Sequence, residues 1–315
     1  MPADRRGING MAAFNNVLLI VNPTSGMAQG NRAGQRLGRR LLGCGMACTE
    51  RRTAGPGDAL RWANEAGREG FDLVMAVGGD GTLQEVVAGM ATAAVKVPIG
   101  HLPVGTANVV ALALALPYST RLAFEVITGG KVLPFDVGFL PELDRYFILM
   151  AAIGYPARII QDSPRRSKKL FGFLTYLAAG FRHGLRVDHA RMHVTADGVR
   201  RSFAANTLLV ANIGRFEGWG LRVSPRTSPH DGRFDVSIIS SRSLLDVIKI
   251  LFRMLTWRYR PTRRLRHFQA RRVIVSADPP VPVQIDGENL GSTPLVAEIR
   301  AAAVDLLVPM KYQAK

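Results

Sequence analysis

The chain has little cysteine, little acid relative to base, and no long apolar run. Each shortage removes a class of protein. Cys44 and Cys48 are its only cysteines. A lone CxxxC without neighbouring histidines supports neither a disulfide framework nor a zinc or redox site, so the pair reads as two small core residues. The longest apolar stretches, such as Val109 to Leu116, fall well short of the roughly 20 residues that span a bilayer. Val17 to Val21 is too short for the apolar region of a secretory signal and runs straight into Asn22-Pro23. A cytoplasmic protein is therefore expected. Internal repeats and low-complexity tracts are also missing. The shortage of acid is the second global signal. With 24 Asp+Glu against 41 Lys+Arg, the net charge of +17 favours a polyanionic partner, either nucleic acid or an anionic membrane.

What is present reads as two domains in 315 residues of ordinary globular composition, 47% hydrophobic and 21% charged. Residues 1–13 form a polar, Gly-containing leader expected to be disordered. Over 14–130 strands and helices alternate. Val17 to Asn22, Met46 to Arg51, Leu73 to Val77 and Pro98 to Leu102 read as strands, with Ala33 to Leu42 and Asp58 to Glu69 as intervening helices. Such alternation implies a doubly wound parallel α/β sheet with helices on both faces. Over 131–315 the texture becomes β-rich and sandwich-like, and the extreme C-terminus is allowed to return to the first domain. Expected strands are Val132 to Leu140, Tyr146 to Ile153, His189 to Thr195, Ser202 to Asn212, Phe234 to Ile239, Val273 to Ala277, Val281 to Ile285, Leu295 to Ile299 and Val304 to Val308. Two helical segments, Lys168 to Arg186 and Ser243 to Trp257, interrupt them.

The most informative stretch is Gly78-Gly79-Asp80-Gly81-Thr82, where an apolar strand meets a helical pattern carrying Leu83, Val86, Val87 and Met90. Glycines let the backbone approach an anion, and the first N–H groups of the helix point at it. Asp80 beside a phosphate calls for a divalent cation, a substrate hydroxyl or N–H groups between them, which suggests a nucleotide handled with Mg²⁺. The same five residues also read as a tight turn with Asp80 as helix N-cap. Two further Gly-bearing turns follow strands: Asn22-Pro23-Thr24-Ser25-Gly26, and Pro103 to Asn108 with Gly105 and Thr106. Ligands on parallel sheets bind at the carboxyl ends of strands, so convergence of the three turns weighs more than any one of them. Asn22, Ser25, Thr106 and Asn108 are candidate phosphate or nucleotide donors. Plain turn formation at Asn-Pro and plain N-capping at Thr106 and Asn108 stay open beside that reading.

NPTSG at 22–26, GGDGTLQEVVAGM at 78–90, LPVGTAN at 102–108, KKLFGFLTYLAAG at 168–180, NIGRFEGWGLRVSP at 212–225, DGRFDV at 231–236 and VQIDGENLGSTP at 283–294 together resemble the diacylglycerol kinase catalytic-domain family, which includes sphingosine and ceramide kinases. GGDGT alone is shared with NAD kinases; the order and spacing of all seven are specific. The resemblance implies nucleotide bound in a cleft between the two domains, acceptor lipid near the β-rich domain, and ATP- and Mg²⁺-dependent transfer of the γ-phosphoryl group to a lipid hydroxyl. The expected acceptor is diacylglycerol, giving phosphatidic acid, a step of phospholipid metabolism. This sequence departs from the family at Val109, where GTxND is common.

On that resemblance Asp286 is the expected base for the lipid hydroxyl, with Glu288 orienting it or holding Mg²⁺, and Asp80 takes part in catalysis. Asp286-Gly287 also reads as simple hairpin turn chemistry. Asp231 resembles a family position that holds a structural cation, with Asp235 close by in the same segment. Arg165, Arg166, Lys168 and Lys169 beside Phe171, Phe173 and Tyr176 form one basic cluster. Arg253, Arg258, Arg260, Arg263, Arg264, Arg266, Arg271 and Arg272 around Trp257 and Tyr259 form another. Such clusters suit anionic headgroups, placing the protein peripherally at the inner membrane. RNA is the alternative partner, but no nucleic-acid motif accompanies them. A homodimer is left open. Rival functions are a kinase for another lipid alcohol (sphingoid base, ceramide or phosphatidylglycerol), a soluble-substrate kinase of the NAD kinase type, and an inactive lipid- or nucleotide-binding regulator.

Overall fold

The computed structural model describes residues 14–162, 189–216, 221–222, 227–241 and 264–313, with single positions 243, 246, 249, 252 and 262. The chain divides into two compact units, Met1–Phe135 with Ala302–Ala314, and Asp136–Ala301.

The first unit contains β1 (Asn16–Val21), α1 (Ser25–Gly43), β2 (Ala47–Arg52), α2 (Asp58–Glu65), β3 (Leu73–Gly78), α3 (Asp80–Thr92), β4 (Ile99–Pro103), α4 (Val109–Ala113) and α5 (Thr120–Gly129). Its sheet runs β2-β1-β3-β4, all parallel. β3 is buried from end to end and β1 from Val17 onward, as strands covered on both faces must be. One face packs Val17, Leu19, Leu73 and Met75 against Leu37 and Leu41 of α1 and Ala123 and Ile127 of α5. On the other side α2 and α3 pack together, with α3 against β3 and β4. In this strand order the crossovers leave in opposite directions at β1 and β3, so the carboxyl ends of those strands open a crevice. The expected helix Ala33 to Leu42 begins at Ser25 instead, and its first turn is irregular, with Gly26 and Ala28 at φ +57° and +67°.

β5 (Lys131–Leu140) leads into the second unit, which holds β6 (Arg145–Phe147), β7 (Met150–Gly154), α6 (Tyr155–Asp162), β8 (Ala190–Ala196), β9 (Val199–Ala205), β10 (Thr207–Ala211), β11 (Arg215–Phe216), β12 (Leu221–Arg222), β13 (Phe234–Ile239), β14 (Leu265–Ala270), β15 (Arg272–Asp278), β16 (Pro282–Ile285) and β17 (Glu288–Ser292). The strand β18 (Leu295–Val308) pairs with β15 through Leu295–Glu298, and its later residue Leu306 pairs with Ile99 of β4 within the first unit. An antiparallel sheet β14-β13-β10-β7-β16-β17 shares one core with strands β8, β9, β15 and the start of β18. Ile153, Leu208, Phe234 and Ile285 come from the first set, and Met192, Phe203, Val273 and Ala297 from the second.

Two expected strands break, for visible reasons. Tyr146 to Ile153 splits because the amides of Ile148 and Leu149 leave the ladder for the carboxylate of Asp286. Ser202 to Asn212 splits at the buried Asn206, whose Nδ2 donates to Ser241 O at 2.6 Å while the chain passes from β9 into the sheet containing β10. Leu295 to Ile299 and Val304 to Val308 are a single strand. β14 and α6 lack a clear periodic pattern and escaped the sequence reading.

Candidate active site

Three turns at the carboxyl ends of β1, β3 and β4 meet. A Cβ on Gly26 would overlap the carbonyl oxygen of Val104, and one on Gly105 would overlap the Cα of Gly79. The NPTSG and GGDGT turns therefore touch the PVGTAN turn at distances only glycine allows. Asn22 Nδ2 donates to Thr82 Oγ1 at 3.3 Å, joining the first two directly. Asn22 Oδ1 also accepts the backbone N–H and hydroxyl of Thr24, fixing the turn that carries Ser25. Gly78 lies against Thr82, leaving no room for a side chain. Gly81 differs: it is exposed and a Cβ there would meet nothing. Helix α3 starts after the extended Gly79 with no side-chain cap, so the N–H groups of its first turn open beside Gly81. The left-handed φ of Ala28 is unfavourable for a residue with a Cβ and adds local strain at this cluster.

Asp80 and Asn108 are engaged differently from the sequence reading. Asp80 is the first residue of α3 and not its N-cap, which is Gly79. Its carboxylate accepts the N–H groups of Val109 (3.0 Å) and Val110 (3.1 Å), capping the start of α4 and tying the GGDGT turn to the segment after PVGTAN. A backbone donor at position 109 serves whichever side chain stands there, so Val109 leaves this tie intact. Asn108 is 4% exposed, and its amide closes on Gly105, accepting from Gly105 N at 3.0 Å and donating to Gly105 O at 2.7 Å. It shapes the loop and does not face outward as a phosphate donor. Thr106 is exposed at the loop's rim. Beneath the turns, His101 of β4 is buried with Nδ1 3.0 Å from Ala76 O. Burial pushes its pKa down to about 4, against the raising effects of that bond and of Asp80.

In the second unit Asp286 and Gly287 join β16 to β17 in a two-residue turn with φ +45° and +91°, the pattern of a type I′ hairpin. The turn explains the Asp-Gly pair only in part. Asp286 Oδ2 accepts Ile148 N at 2.6 Å, and Oδ1 accepts Leu149 N at 2.9 Å and Met150 N at 3.0 Å. The recipient segment is itself anchored. Leu149 O accepts the N–H groups of Asn212 and Ile213, Met150 O accepts Asp286 N, and the fully buried Asn212 donates Nδ2 to Ile148 O at 2.9 Å. Asn212 and the 148–150 segment were not singled out from sequence. The signal that points to them is the start of the NIGRFEG motif.

Glu288 does not turn to Asp286. It is half-exposed and pairs with Arg145, which occupies the carboxylate expected to bind Mg²⁺. The pKa of Asp231 is raised by burial and by the carboxylates of Asp235 and Asp136. Asp235 is 1% exposed; its Oδ1 lies 3.0 Å from His267 Nε2 without hydrogen-bond geometry, and both its oxygens are buried. A desolvated group of like charges suits a cation, although among the described residues no three Asp, Glu, His or Cys side chains close around a single point. The Cys48 thiol is pushed up to about 11 by burial and Glu50, which keeps it unreactive at neutral pH.

The basic cluster at 165–169, its aromatic neighbours and the Lys168 to Arg186 helix lie outside the described residues. So do residues 217–220 and 223–226, Arg253, Trp257, Arg258, Tyr259, Arg260, Arg263, the leader 1–13, and most of the Ser243 to Trp257 helix. Three described members of the second cluster have partners: Arg264 pairs with Asp246, Arg272 with Glu298, and Arg266 stacks over Phe203 at 5.1 Å. Among the described residues no helix is long and apolar enough to cross a membrane.

Comparison with known proteins bears on the same two units. Residues 16–140 match the model of the diacylglycerol kinase catalytic domain, and residues 150–308 that of the YegS C-terminal NAD kinase beta sandwich-like domain. The chain is 29% identical over 280 residues to a diacylglycerol kinase of Bacillus subtilis, covering 88% of this chain and 90% of that protein. It is 32% identical over 194 residues to a probable lipid kinase YegS-like protein of Cronobacter sakazakii, covering 61% and 64%. In fold it is similar to a putative diacylglycerol kinase from Bacillus anthracis (TM-score 0.80, 22% identity, 95% and 99% covered).

Proposed function

The chain belongs to the diacylglycerol kinase-type family of lipid kinases, and from that premise we propose that it transfers the γ-phosphoryl group of ATP to the hydroxyl of diacylglycerol at the inner membrane surface. The observation that carries this reading is the meeting of three glycine turns at the crevice between β1 and β3, with the open first turn of α3 beside Gly81. The first unit is assigned the nucleotide. Gly78, Gly79, Gly81, Thr82 and Gly105 line the approach of the phosphates, with Asn22, Ser25 and Thr106 as side-chain donors. Asp80 and Asn108 keep the turns in register.

The second unit is assigned the acceptor. Asp286, held by three peptide N–H groups, is a pre-oriented carboxylate that takes the hydroxyl proton. The lipid oxygen forms its bond to the γ-phosphorus as the bond to the bridging oxygen breaks, and ADP leaves with that oxygen's charge. Mg²⁺ on the nucleotide would neutralise charge on the transferring group. Asp231, with backbone oxygens of its turn, would hold a structural cation. Arg145 orients Glu288, whose role is limited to the rim of the hairpin.

The test is incubation of the purified protein with labelled ATP and a total lipid extract, followed by identification of the phosphorylated lipid. Labelled phosphatidic acid is expected. A different labelled lipid would reassign the acceptor to another lipid alcohol, and no labelled lipid at all would reject the kinase reading. Gly81→Asp serves as the matched control. Its side chain meets open space, so the protein should fold while ATP binding by calorimetry is lost.

A further inference from the structure

A second group of cationic side chains lies on the first unit, on α1 and α5. Helices α1 and α5 pack side by side through Leu37 and Leu41 against Ala123 and Ile127. Above that seam is an open depression of about 510 Å³ lined by Arg36, Arg39 and Arg40 of α1 and Thr120 and Arg121 of α5. Helix α1 carries no acidic residue. Among the described residues no carboxylate lies within ion-pair distance of Arg36, Arg39 or Arg40, while Arg121 shares Glu125 at 3.1 Å. Arg36 and Arg40 stand one turn apart, a like-charge pair that weakens the helix unless an anion lies between them. Arg121 sits in the first turn of α5, where the positive end of the helix dipole adds to its own charge. In the β14–β15 region, by contrast, Arg264, Arg266 and Arg272 already have acidic or aromatic partners.

The surroundings decide which anion fits. Leu42 follows the arginines on α1 and is 59% exposed; Leu122 follows Arg121 and is 47% exposed. A soluble phosphate has no use for these side chains. Guanidinium groups for phosphodiesters, with exposed leucines next in the same helices, match the headgroup layer of a bilayer and the acyl boundary beneath it.

We propose that the α1–α5 face docks the protein on anionic phospholipid. It rests on the lipid kinase reading only for its purpose, since an enzyme whose acceptor stays in the bilayer must hold that surface. The experiment uses the full chain with vesicles of phosphatidylcholine alone or mixed with phosphatidylglycerol. Replacing Arg36, Arg39, Arg40 and Arg121 together by Gln should lower partitioning onto mixed vesicles by about 600-fold, since one basic residue near an anionic surface is worth about fivefold. The charge-matched replacement of the exposed Arg68, Arg191, Arg200 and Arg201 by Gln should retain most of the binding. Leu42→Gln with Leu122→Gln should lose about tenfold, as apolar side chains leave the acyl boundary. Wild-type binding by the quadruple variant, or an equal loss in the charge-matched control, overturns the proposal. So does undiminished binding by the leucine variant together with displacement from vesicles by free inorganic phosphate, which would make the site one for a soluble anion. Phosphorylation of lipid dispersed in neutral detergent micelles, which needs no anionic surface, separates the two readings. The quadruple variant should keep that activity, and its absence from the wild type rejects the kinase reading while leaving the vesicle result standing.

Discussion

Asp80 and Asp286 both begin an Asp-Gly pair, and both turn their carboxylates into peptide N–H groups distant in sequence. They do so from opposite backbone settings. Asp80 opens helix α3 and caps α4, so one carboxylate joins two elements that follow neighbouring parallel strands. Asp286 occupies a left-handed position in a hairpin and gathers three successive amides running from the end of β6 into the first residue of β7. The first arrangement brings backbone donors of two turns to bear on one place, which suits an anion. The second fixes the position of a carboxylate; its three N–H donors orient the acceptor and also stabilise its charged form, so what they supply to proton abstraction is geometry and not basicity. Under the proposed function the same dipeptide would serve a site that receives negative charge and one that supplies it.

The sharpest way to break this comparison is to neutralise each carboxylate. Asp286→Asn should lower turnover by about 10² to 10⁴ with ATP affinity nearly unchanged. Asp80→Asn should weaken ATP binding by about tenfold and stability by about 1–3 kcal/mol, since an amide nitrogen would face a peptide N–H. Calorimetry and steady-state rates on both variants decide it; matching losses of rate at intact ATP affinity would make both carboxylates catalytic and erase the distinction.

The next largest effect belongs to His101 alone. Its folded pKa of about 4 lies below the unfolded value of about 6.5, so the unfolded chain binds more protons between these values and stability falls as pH drops through that window. The loss should reach about 3 kcal/mol by pH 4, read from urea midpoints, and His101→Leu should flatten it. An unchanged slope in that variant would place the acid sensitivity in other groups.

Glycines sharpen the comparison further. Gly105→Ala forces the turns after β3 and β4 apart and should cost about 1–3 kcal/mol. Gly287→Ala, at φ +91° in open space, should cost about 1 kcal/mol from backbone conformation alone. Equal melting temperatures for the two variants would remove close approach as the reason for glycine at 105. The smallest effect is expected at Glu288. Its pair with Arg145 is exposed and screened, so Glu288→Gln should change stability by about 0–1 kcal/mol and leave most of the rate. A rate loss as large as that of Asp286→Asn, relieved by added Mg²⁺, would instead return Glu288 to cation binding.

Local chemistry made much of this protein legible in its sequence. Buried runs such as Leu73 to Val77 can only be strands covered on both faces, and glycine turns after them can only lie at the ligand edge of a parallel sheet. The α/β-then-β order and the family followed from the spacing of such motifs. Partners remote in sequence were hidden. Nothing local says that Asn108 closes on Gly105 and not on a ligand, that Glu288 meets Arg145, that Ile148 and Leu149 leave a strand for Asp286, or that arginines of α1 and α5 share one depression.

The sequence by itself determined most of the described strands and helices and where glycine lets backbone segments come close, because periodicity and glycine act over a few residues. Only the tertiary structure decided what each carboxylate and guanidinium faces, because a charged side chain is committed by donors and charges that folding brings from distant parts of the chain.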